Sequence, residues 1–101
     1  MNWSRQLSEL EMRALCNFVL NKENGCKVVE EKYDPNFMGE GLSQKLYVHE
    51  GSKEYVFVVS QRGYIMNMLH ITSNELEEFL GYWNEGLLNP YGRIENNGKK
   101  L

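Results

Sequence analysis

The feature that most constrains this chain is a helix-start signal written twice, once near each end. Ser8 is followed three residues later by Glu11, and Thr72 three residues later by Glu75. In such a capping box the hydroxyl accepts an amide of the first helical turn while the carboxylate reaches back to the amide of the capping residue. Apolar residues stand in the staple positions on either side, Leu7 with Met12 and Ile71 with Leu76. The first helix is therefore predicted to begin near Glu9. Leu10, Ala14 and Phe18 recur at helical spacing with Leu15 and Val19 beside them, and Lys22 and Asn24-Gly25 form the stop. The second helix carries Leu76, Phe79, Leu80, Trp83 and Leu87 as its stripe, turns Glu77 and Glu78 to water, and ends at Gly86.

Two helices at the ends leave the middle of the chain to strands. Cys26 to Tyr33 sets Val28 and Val29 among Glu30, Glu31 and Lys32, which suits a strand at a sheet edge. The segment from Asp34-Pro35-Asn36 to Leu42 is irregular and holds Phe37 and Met38 on a loop. Gly51-Ser52 is predicted to close a two-residue type II′ hairpin, with Gly51 at positive φ. The resulting register pairs Glu50 with Lys53, His49 with Glu54, Val48 with Tyr55, Tyr47 with Val56 and Leu46 with Phe57. Leu46, Val48, Tyr55, Phe57 and Val59 then share the core face. Gln61-Arg62-Gly63 reads as a three-residue hairpin loop leading into a fourth strand, Tyr64 to Ile71. Asn89-Pro90-Tyr91-Gly92 reads as a turn.

The predicted fold is α+β: helix, four-stranded antiparallel sheet, helix (α-β-β-β-β-α). It forms one domain over residues 1–94, with residues 95–101 as a flexible tail, in keeping with a length of 101 residues that suits one hydrophobic core.

Composition then excludes several classes of function. A formal charge of −3, with acidic residues interleaved with Lys and Arg, supplies no basic face for a phosphate backbone, so direct nucleic-acid binding is not expected. No apolar run approaches the roughly 20 residues of a membrane helix and no secretory leader is evident, which points to the cytoplasm. Cys16 and Cys26 are too few for a zinc site and read as small buried thiols in a reducing compartment.

Several candidate sites fail on their chemistry. Asp34, Asn36 and Glu40 share a loop but lack the alternating ligands of a calcium loop, and Gly39-Glu40-Gly41 lacks the Lys and hydroxyl of a phosphate loop. No cofactor or metal is expected. His49, Glu54, Arg62 and His70 form the strongest catalytic candidate, since two histidines, a carboxylate and a guanidinium are what acid/base chemistry on a phosphodiester requires. The register makes His49 and Glu54 cross-strand neighbours, whereas Arg62 falls at the opposite end of its strand.

The sheet itself is unusual in carrying large side chains at nearly every position of its last two strands. Ile65 and Leu69 are assigned to one side, and Tyr64, Met66 and Met68 to the other. Either both faces are covered, by helices on opposite sides or by the loop with Phe37 and Met38 folded over one, or both helices lie on one face and a Met- and Tyr-bearing surface is left open. The open arrangement places a partner surface on Tyr47, Val56, Met66 and Met68, extended by Phe37 and Met38, with Lys45, His49 and Glu54 at its polar margin. The expectation is a non-enzymatic protein-binding module, acting as an inhibitor, modulator or accessory subunit, or through self-association. Small acidic domains that phages and mobile elements direct at host enzymes belong to this class. The alternative is a small ribonuclease-type enzyme or ligand binder using the His49, Glu54 and His70 region, or a pocket beneath the central loop.

Overall fold

The computed structural model describes residues 7–20 and 25–92. The expected flexible tail and the Lys22 to Asn24 stop fall outside them. Helix α1 spans Glu9–Leu20 and opens with the complete capping box. The Ser8 amide donates to Glu11 Oε1 (2.9 Å) and the Glu11 amide donates to Ser8 Oγ (3.2 Å).

Thr72 behaves differently. Glu75 Oε1 accepts both the Thr72 amide (3.1 Å) and the Thr72 hydroxyl (2.9 Å), so the hydroxyl is spent as a donor. Residues 73–75 form a turn, and helix α2 runs from Leu76 to Asn84, one turn later than the sequence places it. Its end is as predicted. Gly86 takes φ 73°, its amide donates to Trp83 O, and the Leu87 amide donates to Tyr82 O, which together make a Schellman motif.

Between the helices lie strands β1 (Cys26–Asp34), β2 (Leu42–His49), β3 (Glu54–Gln61) and β4 (Tyr64–Ile71). They form one antiparallel sheet in the order β1-β2-β3-β4, so β1 and β4 are its edges. The β2–β3 register matches the predicted one from Leu46↔Phe57 to His49↔Glu54. Its turn does not. Gly51 has no positive φ, whereas Lys53 does (φ 60°), and the Lys53 amide donates to His49 O (2.8 Å) across a four-residue loop. Register survives because a two-residue and a four-residue loop about the same centre close on the same pair.

The second hairpin is tighter than expected. Gln61 pairs with Tyr64, and Arg62 (φ 55°) and Gly63 (φ 82°) are both left-handed, as a type I′ turn requires. The pairing then slips between Val59↔Asn67 and Ser60↔Ile65, leaving Met66 as the extra residue of a bulge. The bulge also reassigns Ile65, which lines a cleft with Met68 and α1 and so lies on the opposite side from Leu69's face.

The helices cover opposite faces. Under α2, Leu46, Phe57, Val59, Leu69 and Ile71 pack against Phe79 and Trp83, with the Phe57 ring centroid 5.0 Å from each aromatic ring. Under α1, Val56, Val58 and Met68 join Leu7, Met12, Leu15 and Phe18. This accounts for strands that are apolar at nearly every position. The 89–92 turn is anchored by buried Asn67, whose Nδ2 donates to Tyr91 O (2.8 Å). Cys26 is a free, half-buried thiol whose Sγ lies 3.6 Å from Phe18 O, and burial pushes its pKa up. Among the described residues no helix is long and apolar enough to cross a membrane.

Candidate functional site

The residues expected to make an open sheet surface do not form one. Val56 (2% exposed) and Met68 (1%) lie beneath α1, and half-buried Tyr47 packs into the same cluster. Phe37 belongs to the other side of the sheet, packed against the α2 core and edge-on to Tyr91. Met38 is exposed on the 3-10 turn Phe37–Gly39. Lys45 lies 4.0 Å from Glu31 Oε2. Of the group, Met66 is the sheet residue that keeps a large exposed apolar side chain (44%). The expectation failed because the amphipathic stripe of α1 had no other face on which to be buried.

The histidine group is brought together in part. Glu54 and His70 stand on the α1 side, and His70 Nε2 meets Glu54 Oε1 at 2.7 Å. The contact is a diagonal one, since His70 pairs with Val56, two residues from Glu54. With Ala14, Leu15 and Phe18 they border a cavity of about 260 Å³. His49 is committed elsewhere. Its Nδ1 accepts the Ser52 amide (3.1 Å) and contacts Ser52 Oγ (2.8 Å), and its ring lies 5.0 Å from that of Phe18. An amide donor leaves Nδ1 unprotonated, so the neutral ring carries its proton on Nε2. Arg62 is ion-paired with Glu40 (2.7 Å) and does not join the histidines.

The central loop spends its polar groups locally. Asp34 Oδ1 accepts the Asn36 amide (3.0 Å) and Glu40 holds Arg62. Among the described residues no three His, Cys, Asp or Glu side chains converge as a metal ligand set.

The surface that sequence reasoning missed lies along β4. The other edge strand, β1, is protected in the usual way: Lys27, Glu30, Glu31, Lys32 and Asp34 punctuate it, and it is bulged at Val29. Strand β4 reads YIMNMLHI, with no Lys, Arg, Asp, Glu or Pro. Tyr64 (74% exposed), Ile65 (37%) and Met66 stand exposed at its start. Beside them Ile65, Met68, Met12, Glu9 and Arg13 border a shallow cleft of about 190 Å³ between β4 and α1. The signal was present, since a meander of four strands leaves its fourth at an edge, but it had to be read against the charges of the first.

On the opposite side of the sheet, under the central loop, a second cavity of about 340 Å³ is walled by Phe37, Leu42, Leu88 and Trp83, with Lys32, Asp34, Gln44 and Asn89 among its polar lining. No family model matches the chain, and comparison with curated proteins and with solved structures gives no significant similarity.

Proposed function

We propose that this chain is a non-enzymatic protein-binding module, working in the cytoplasm as an inhibitor, modulator or accessory subunit, and that it receives an extended segment of its partner along β4. The observation that carries this reading is the charge-free, apolar edge of β4 beside a strand, β1, that is defended by five charges. An added strand gains main-chain hydrogen bonds along the edge, and Tyr64, Ile65 and Met66 supply side-chain selectivity. The partner's chemistry follows: an extended, alternately apolar segment.

The test is selection of a random peptide library on the immobilised protein, followed by hydrogen exchange with the selected peptides. Extended sequences with alternating apolar residues are expected, protecting β4 amides, with affinity lost by a factor of roughly 30 or more in Met66→Lys if it is a central contact. Peptides that protect α2, or bind Met66→Lys unchanged, overturn the reading.

A second reading rests on the 2.7 Å contact between His70 and Glu54, the pair an acid/base enzyme or ligand binder would use. The double variant His49→Ala, His70→Ala separates the two. Partner binding within a few fold of the parent is expected, and loss of function in a folded double variant favours the enzyme.

A further inference from the structure

We propose that the cavity beneath the central loop is a binding site for a small organic monocarboxylate, with the Lys32 ammonium as its anion receptor and Trp83 as its floor. Its volume of about 340 Å³ lies within the range of small-ligand pockets, about 300 to 1,000 Å³.

The polar wall is built in advance. Trp83 Nε1–H donates to Gln44 Oε1 (2.9 Å), and Gln44 Nε2 donates to Pro90 O (2.8 Å). These bonds fix the indole and the residue 90 wall without spending Lys32. The Lys32 ammonium is itself held in place, donating to Trp83 O (3.3 Å) and standing 4.6 Å from the Trp83 ring centroid.

An ammonium has three donors, and one is used here. Lys27 and Lys45 on the same sheet have carboxylate partners, Glu50 at 2.8 Å and Glu31 at 4.0 Å. Lys32, half-buried, has none among the described residues. A positioned cation with free donors over an apolar cavity selects a ligand with one carboxylate and an apolar body. The body would rest on Phe37, Leu42 and Leu88. Asp34 also borders the cavity, its Oδ1 held by the Asn36 amide, and its charge disfavours a second anionic group on the ligand. This site faces away from the β4 edge and does not depend on the reading given to that edge.

Trp83 makes the site observable by fluorescence, in a Trp3→Phe background that removes the second indole. Phenylacetate is the probe, and phenylacetamide, of the same shape but neutral, is the control. Saturable change with phenylacetate below about 20 mM is expected, with the amide weaker by roughly tenfold. Lys32→Gln should abolish that preference while the thermal midpoint stays near the parent's. Equal response to acid and amide, an unchanged preference in Lys32→Gln, or no saturation by phenylacetate overturns the proposal.

Discussion

His49 shows how a residue type associated with chemistry can be used for architecture. Its Nδ1 accepts the Ser52 amide, so the imidazole closes the β2–β3 loop and rests on Phe18. Trp83 is the opposite case, a residue whose role was legible from its place in the α2 stripe. It is 5% exposed, packs on Phe57 and Phe79, and bonds Gln44. Trp83→Ala is expected to cost about 3 to 5 kcal/mol, a large share of the 5 to 15 kcal/mol typical of such domains. A urea titration reads this as a lowered midpoint, and an unchanged midpoint would show that the ring is not part of the core.

At the scale of elements, the two capping boxes are one sequence pattern with two structures. Ser8 accepts the Glu11 amide, whereas Thr72 donates its hydroxyl to Glu75 and keeps a second bond through its own amide. Ser8→Ala is therefore expected to cost about 1 kcal/mol, because it removes the hydroxyl that accepts the Glu11 amide, and Thr72→Ala less, because that hydroxyl donates to a carboxylate and does not cap a helical amide. Parallel thermal melts decide it, and a larger loss for Thr72→Ala would contradict the bonding described. The β1 edge offers a pH test. The Lys27 ammonium hydrogen-bonded to Glu50 holds that carboxyl below its ordinary range. A depressed carboxyl contributes stability above its unfolded pKa, and that contribution fades as pH falls through the lower folded value. NMR titration of the Glu50 carboxyl carbon should find its midpoint below that of an ordinary glutamate and rising in Lys27→Met. No change on removing Lys27 would show that another group sets it.

For the molecule as a whole, the decisive fact is that one four-stranded sheet serves two cores. Met66 and Met68 are two residues apart on β4, yet the bulge leaves the first at the open edge while the second is sealed under α1. Met68→Lys buries a charge without a partner and should prevent folding, whereas Met66→Lys should fold with a circular dichroism spectrum and melting behaviour close to the parent's. A folded Met68→Lys would mean that α1 does not close that face as described.

Element order and the β2–β3 register were determined by the sequence alone, because both rest on short-range chemistry. The hydroxyl-to-carboxylate spacing starts α1, the positive φ at Gly86 stops α2, and alternation about a turn centre fixes which residues pair. Even there, local signals blurred where two outcomes share one pattern, as with the Gly51 turn and the Thr72 box. The tertiary structure decided what each face of the sheet meets. Leu46 and Phe57 on one side and Val56 and Met68 on the other are comparably apolar, so nothing local says which helix covers which. That choice sealed most of the expected surface and left β4 as the open apolar edge. It also set Lys32 over Trp83, a contact between residues far apart in sequence that no local pattern encodes, whereas His70 reaches Glu54 through the β3–β4 register. Packing of two amphipathic helices is a collective property of the folded chain, and the sites follow from it.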